Sequence, residues 1–315
     1  MAAFVLRRLA MLVVALLVSS FVIFAGLQLA PGDPLAALSG GRSLSPETLA
    51  TLRAQYHLDD PFLVQYWHWL IGALQGDLGQ SIAQRQDVSS IISERIGVTA
   101  ELVLLAALMI LAAGIGLGIL AGLRRGAVDT GVLIATSVLA AIPSFVAAVL
   151  LLSVFAVNLG WFPAIGAGEG FGDRLWHLVL PAVALAASAL AIVARVTRVS
   201  VREELEREHV QTAVSRGIPW RLVVRRHVLR NAAIPIATVS GITITSLIAL
   251  SAVVERAFGI NGIGATLVQA AASKDLALVQ GIALVLVAAF VIGNTLVDLL
   301  YAVLDPRVAL GSRAA

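Results

Sequence analysis

The sequence predicts an all-α integral membrane protein with six transmembrane helices and both termini on the cytoplasmic side. Three observations carry that reading. Of the 315 residues, 59% are hydrophobic and only 13% charged, with a mean hydropathy of +0.94. A soluble domain is about half apolar and about a quarter charged, so too little polar surface remains here to cover a globule in water. Six apolar stretches each reach the roughly 20 residues that a helix needs to cross the hydrocarbon of a bilayer. The cations, finally, are distributed unevenly around those stretches.

The spans read as 9–29, 98–123, 128–157, 178–198, 235–256 and 277–301. The first follows Arg7 and Arg8. Its apolar run exceeds the roughly 7–15 residues of a signal-peptide core, so it is expected to be retained. The second holds Gly114, Gly118 and Gly122 at GxxxG spacing. Small residues let helices approach closely in lipid, so this ladder predicts packing and not a binding site. The third is longer than a span requires, with Pro143 in its middle. Proline removes one helix hydrogen bond, so a kink is expected there.

Lys274 is the only lysine, and the net charge of +3 rests on arginine. With both termini inside, 15 basic residues are cytoplasmic: Arg7, Arg8, Arg124, Arg125, nine arginines between Arg195 and Arg230, Arg307 and Arg313. The other seven are Arg42, Arg53, Arg85, Arg95, Arg174, Arg256 and Lys274, and they fall outside. This is the positive-inside asymmetry. Tyr66, Trp67, Trp69, Trp161 and Trp176 lie near the outer boundaries, where amphipathic rings concentrate.

The chain therefore divides into residues 1–30 with the first span, an external helical segment 31–97, a membrane core 98–301 containing a cytoplasmic loop 199–234, and a tail 302–315. Outside, Ser45-Pro46-Glu47 reads as a cap, a proline at the first helical position and an acid in the first turn. Asp59-Asp60-Pro61 opens a second helix with Phe62, Leu63, Tyr66, Trp67, Leu70 and Leu74 at helical spacing, stopping at Gly76. Asp87 caps a third short helix with Ile91, Ile92 and Ile96. Their apolar faces are expected to pack mainly on the protein's own spans, with a membrane surface or a partner as the other choice.

The cytoplasmic loop is too polar to cross a membrane. One helix, about 200–215, stops at Gly217, a residue suited to left-handed backbone. A second starts at Pro219, carries Leu222, Val223, His227 and Val228 between arginines, and ends before Pro235. Two short amphipathic helices bent at a glycine form a protrusion. A plain basic loop attracted to anionic headgroups would explain the arginines but not the turn chemistry or the apolar face.

In this loop the sequence runs Glu208-His209-Val210-Gln211-Thr212-Ala213, then Gly217, then Arg226-His227-Val228-Leu229-Arg230-Asn231-Ala232-Ala233-Ile234-Pro235. It resembles the permease subunits of ATP-binding cassette importers of the dipeptide/oligopeptide/nickel family, whose loop carries an Glu-Ala-Ala motif followed by glycine. Gln211-Thr212-Ala213 departs from the literal motif. The resemblance extends through Pro31-Gly32-Asp33-Pro34, Leu58-Asp59-Asp60-Pro61, Gln65-Tyr66, Gly76-Asp77-Leu78-Gly79, Ile142-Pro143-Ser144-Phe145 and Gly160-Trp161-Phe162-Pro163. It continues through Phe258-Gly259-Ile260-Asn261-Gly262-Ile263-Gly264, with Asn261 where proline is usual, Asp298-Leu299-Leu300-Tyr301 and Leu304-Asp305-Pro306-Arg307. The long external segment resembles the first permease of such a pair.

The resemblance implies a type I importer permease fold. It also implies a homologous second permease subunit, two ABC ATPase domains, an external binding protein and a di- or oligopeptide cargo, with nickel or another small solute as the alternative. It places Glu208, Gln211, Thr212, Ala213, Arg216, Gly217 and Ile218 at the contact with the ATPase. ATP and magnesium would be held by the partner ATPases, with no cofactor of this chain's own. The lipid bilayer is the remaining partner, and no nucleic acid is expected. Residues 30–97, 158–177 and 257–276 would form the landing surface of the binding protein.

The residues themselves agree with a non-enzymatic role. There is no G-x-x-x-x-G-K-[ST] phosphate loop, since Lys274 stands alone, and no H-E-x-x-H or G-x-S-x-G. There is no cysteine, and His57, His68, His177, His209 and His227 are scattered, which argues against a metal site. The span middles carry no charge, whereas a self-sufficient secondary transporter is expected to show charged or broken helices at mid-membrane. A membrane scaffold would have no use for a glycine-bent cytoplasmic helix pair. Candidate path residues are Pro143 and Ser144 at the predicted kink and Asn294, one turn before Asp298 on the last span, where hydrogen bonding to a neighbouring helix is the simpler role.

Overall fold

The computed structural model describes residues 2–28 and 60–304. The expected helix after Ser45 and the motifs at 31–34 and 305–307 lie outside the described residues. Ten helices and one two-stranded hairpin are present among the described residues. They are α1 (Ala2–Gln28), α2 (Phe62–Leu74), β1 (Gln80–Ser81), β2 (Gln86–Asp87), α3 (Val88–Leu123), α4 (Ala127–Ala141), α5 (Ser144–Asn158), α6 (Phe171–Leu205), α7 (Glu208–Ser215), α8 (Trp220–Ala257), α9 (Ile263–Ala272) and α10 (Leu276–Leu304). β1 and β2 pair antiparallel, Gln80 opposite Asp87.

Five of these helices are long and apolar enough to cross a membrane, and a sixth crossing is made if α4 and α5 count as one. The kink expected at Pro143 is a full break of 99°. The residue before a proline is pushed out of the helical region, and Ile142 is extended at ψ 116°, with Pro143 itself at ψ 145°. Two consecutive non-helical residues separate the halves, where one missing hydrogen bond would only have bent them. A pair of helices broken at Pro143 therefore exists in this chain, where the sequence showed a kink and no broken helix.

Three boundaries move. The helix at Asp87 is not a separate short one: α3 starts at Val88 and runs through to Leu123. α6 reaches Leu205, absorbing the first part of the expected loop helix, and α7 starts only at Glu208. α8 does not end before Pro235 but passes through it to Ala257. Proline inside a membrane helix is tolerated when neighbours support the backbone, and Pro181 within α6 is a second case.

α6 is the hub. It packs against α3, α4, α5 and α8, and 61% of its most apolar stretch is buried. Ala182, Ala184, Ala186 and Ala189 keep it thin enough for four neighbours, and Leu102, Ile110, Leu178, Leu185, Leu247 and Val254 fill the space between them. α1 and α10 are as apolar yet only 11% and 17% buried. Apolar surface of that extent is stable only against lipid or a partner's helices.

The glycine ladder of α3 lies on α6. A Cβ on Gly118 would meet the Thr197 Cβ well inside contact distance and the Ala194 carbonyl at 2.6 Å, and one on Gly122 would meet Val201 Cγ1 at 2.7 Å. The ladder is a packing surface, as its spacing predicts.

Candidate functional site

The cytoplasmic corner is built by α7 and the start of α8. α7 closes with a Schellman turn: Gly217 N–H donates to the Val214 carbonyl at 2.9 Å and Ile218 N–H to Ala213 at 3.2 Å. Gly217 takes φ +72°, which a side chain rarely adopts, and a Cβ there would meet nothing within 4 Å. The requirement for glycine is therefore conformational and not steric.

The inner face of the corner is anchored. Val210, Ala213, Val223 and Val228 are buried against Val201 of α6 and Ala232 and Ile236 of α8, with Ile218 packed on the edge. Glu204 on α6 accepts from the Asn231 amide at 2.9 Å and lies 3.0 Å from His209 Nε2, fastening α6, α7 and α8 together. The outer face carries Glu208, Gln211, Thr212, Val214, Ser215, Arg216 and Gly217, all exposed. Of the seven residues predicted for the contact, six reach the surface wholly or partly. Ala213 is turned inward at 4% exposure, because it lies three residues after the buried Val210 on the inward face of α7. Sequence reading did not single out Val214 and Trp220, and named Leu222 only as part of the apolar face of the second helix; the three stand 49%, 54% and 40% exposed beside the polar ridge. Apolar residues on the polar side of a helix were the available signal.

Beneath the corner, Asp129 at the start of α4 accepts from two arginines of α6. Arg198 grips both carboxylate oxygens, Nη2 at 2.9 Å, and Arg202 Nη2 lies 2.7 Å from Oδ2. Arg202 also donates to the Ala121 carbonyl at 3.3 Å.

α8, 38 residues long, runs from the corner to the external face, about 57 Å away at 1.5 Å per residue. There Glu255, fully buried, accepts from Thr99 Oγ1 of α3 and from the Ala265 N–H of α9, both at 2.8 Å. Thr99 in turn accepts from the Ile263 N–H at 3.0 Å. The carboxylate thus caps the N-terminus of α9, where helix N–H groups are otherwise unpartnered. A Cβ on Gly262 would overlap this carboxylate. Asp275 caps α10 through the Leu278 N–H at 3.2 Å and holds the hairpin through Ser81 Oγ and the Ala83 N–H, the latter at 3.0 Å. Ile91 and Ile92 pack inside this cap with Val88, Ile263, Leu278 and Ile282. The loop after α5 joins it through the Gly166 N–H to the Phe258 carbonyl at 3.0 Å. Glu255→Gln replaces one of the two accepting oxygens by an amide donor, which must face either the Ala265 N–H or Thr99 Oγ1. Its expected cost is about 1–3 kcal/mol, read as a lower unfolding midpoint in detergent.

The three candidate path residues are not brought together. Pro143 is exposed at the break and Ser144 begins α5, which packs on α6 and α8. Asn294 accepts from Thr245 Oγ1 of α8 at 3.2 Å, the interhelical bond that its position suggested. It also lines a cavity of about 290 Å³ with Phe4, Arg8, Thr238, Ile242 and Asp298. Arg8 and Asp298 close this cavity with an ion pair of 2.9 Å. Among the described residues, no group of three or more acidic, histidine or cysteine side chains converges as a metal site would require.

Residues 114–310 match the family model described as binding-protein-dependent transport system inner membrane component, and residues 1–103 match its N-terminal companion. The chain belongs to this family. It is the permease of a binding-protein-dependent ABC importer, a multi-pass inner-membrane subunit and not a catalyst. The permease is 39% identical over 312 residues to a putative peptide transport system permease protein of Brucella abortus (strain 2308), covering 98% of this chain and 99% of that one. It is 34% identical over 307 residues to a glutathione transport system permease protein of Salmonella typhimurium (strain LT2), covering 97% and 98%. Its fold matches a chain of the inward-facing MetNI methionine ABC transporter with a TM-score of 0.54 at 18% identity, over 68% of the permease and 96% of that chain. Membership of this family, and not the absence of broken helices, separates the permease from a secondary transporter.

Proposed function

We propose that this permease pairs with a homologous second permease to form the path for short peptides, which an external binding protein delivers and two ABC ATPase domains drive. The carrying observation is the corner: an exposed ridge at Gln211, Thr212, Ser215 and Arg216, backed by an apolar face locked to both α6 and α8. A groove in an ATPase that grips the ridge would move two membrane helices with it. α8 continues from the corner to the Glu255 cap, so displacement at the cytoplasmic face reaches the surface offered to the binding protein. Peptide as cargo is supported by the relatives: one is named for peptide transport, and another for glutathione, itself a tripeptide.

The test is uptake into proteoliposomes holding the complete importer, supplied with binding protein and labelled di-, tri- and oligopeptides. ATP-dependent accumulation of any of them supports the cargo; uptake of nickel or another solute without any peptide uptake refutes it. Within the same vesicles, Arg216→Glu and Thr212→Trp are expected to cut transport at least about tenfold, the ~1.4 kcal/mol scale of a mismatched interface charge or clash. Subunit recovery should stay unchanged, because both side chains are exposed. Full transport by both variants would remove the ridge from the coupling contact. Ala213→Trp, by contrast, is expected to lower the yield of folded subunit.

A further inference from the structure

We infer that α2, within the segment read as external, is sunk into the outer leaflet with its Leu63–Trp67–Leu74 face against lipid acyl chains. The first ground is depth. Tyr66 OH lies 2.9 Å from Ser20 Oγ and donates to the Leu17 carbonyl at 3.3 Å. The apolar span of α1 ends at Gly26, so at 1.5 Å per residue these partners sit roughly 9 and 14 Å below its outer end. Half of a hydrocarbon core is about 15 Å, so the Tyr66 hydroxyl is inside the hydrocarbon, partnered by α1 and not by water. Phe21 meets the Tyr66 ring at 5.2 Å, and Phe24 meets Phe62 and Trp69 at 5.4 and 5.7 Å, which fixes α2 alongside the outer half of α1.

The second ground is what the other side of α2 offers. Leu63, Trp67 and Leu74 share a stripe and are 65%, 58% and 81% exposed. On α1 itself, Val18 and Val22 are likewise 58% and 61% exposed, on a span of which only 11% is buried. α2 contains no Asp, Glu, Lys or Arg, and its Gln65 and His68 side chains reach back to Asp60 before its first turn, at 2.8 Å to the carbonyl and 3.7 Å to the carboxylate; a surface built for a water-soluble partner carries a fuller polar rim. The third ground is backbone closure. In hydrocarbon the terminal carbonyls of a helix need internal partners. Here Gln75 N–H donates to Ile71 and Gly72, Gly76 N–H to Ala73, and Asp77 N–H to Gly72 at 2.9 Å. α2, 13 residues and about 20 Å long, is too short to span, so it lies within one leaflet.

The chain has no cysteine, which gives a clean test. Leu63→Cys, Trp67→Cys and Leu74→Cys would each carry a nitroxide label in the complete importer, reconstituted in phosphatidylcholine–phosphatidylglycerol vesicles. Collision with oxygen, which concentrates in hydrocarbon, is compared with collision with nickel ethylenediaminediacetate, which stays in water. Val14→Cys on α1 is the lipid standard and Gln86→Cys at the hairpin the water standard. Oxygen should dominate at 63, 67 and 74 as it does at 14, with the ratio reversed at 86. Nickel dominating at 63 and 74 would place the stripe in water and overturn the inference. Loss of both collisions at those two sites would mean that a protein covers the stripe, and would overturn it equally.

Discussion

Gly118→Ala is expected to destabilise the permease, although alanine in place of glycine ordinarily favours a helix by about 1 kcal/mol. The reversal of sign is the point. The added Cβ would overlap Thr197 and press on the Ala194 carbonyl, a backbone atom that cannot swing aside. Overpacking of this kind costs about 1–3 kcal/mol per group, and Gly118→Leu is expected to prevent α3 from seating on α6 at all. The control lies on the same helix. A Cβ on Gly116 meets nothing within 4 Å, so Gly116→Ala should be neutral or slightly stabilising. Thermal unfolding in one detergent, followed by size-exclusion profile, reads both. Equal stability of the two alanine variants would mean that the α3–α6 packing described here is wrong. Because α6 is the hub and leads directly into the cytoplasmic corner, the Gly118 variants should also lose assembly with partner subunits.

Much of this architecture is legible in the sequence because lipid imposes simple rules. Apolar runs of fixed length mark the crossings, arginine asymmetry orients them, and the glycine ladder names its own packing face. Gly217 marks the corner because few residues accept φ +72°, and Pro219 because a helix start is where its missing N–H costs least. What resists reading is whatever depends on contacts distant in sequence. The helices α6 and α8 overrun their apolar spans by more than a turn, since tertiary packing on Val201, Val210 and Ala232 stabilises polar turns that hydropathy assigns to a loop. Glu255 reads as an acid near a span end; only the fold brings Thr99 and the N-terminus of α9 to it. Ala213 sits in the motif that resembles the coupling contact, yet it is buried in the cluster behind the exposed ridge. The corner was thus legible along the chain, while the division between its exposed and its buried residues required coordinates.

The arginines sharpen this lesson and lead to the second large effect. Composition treats Arg198 and Arg202 as two of fifteen cytoplasmic cations. In the fold they are committed inward, to Asp129 and the Ala121 carbonyl. Removing the acid leaves two guanidinium groups facing each other, 18% and 28% exposed. Asp129→Asn is therefore expected to destabilise the permease, read as a lower unfolding midpoint in detergent, by an amount that the water reaching Arg202 reduces. The consequence should not stop at stability. The three side chains tie α4 to the last turns of α6, and Leu205, at the end of α6, hands over to α7. On the proposed coupling, a loosened α6 end would let the ATPase shift the corner without moving the membrane helices, so uptake should fall while ATP hydrolysis continues. The double replacement Asp129→Leu with Arg198→Leu separates the two effects. It removes the charge pair together, which is often close to neutral, and leaves Arg202 its backbone carbonyls. Stability should recover most of the loss seen in Asp129→Asn, giving a double-mutant coupling well above the ~0.5 kcal/mol of independent sites. If uptake recovers with stability, packing alone links α4 to the corner. If stability returns and uptake does not, the ion cluster itself carries force from the corner into α4.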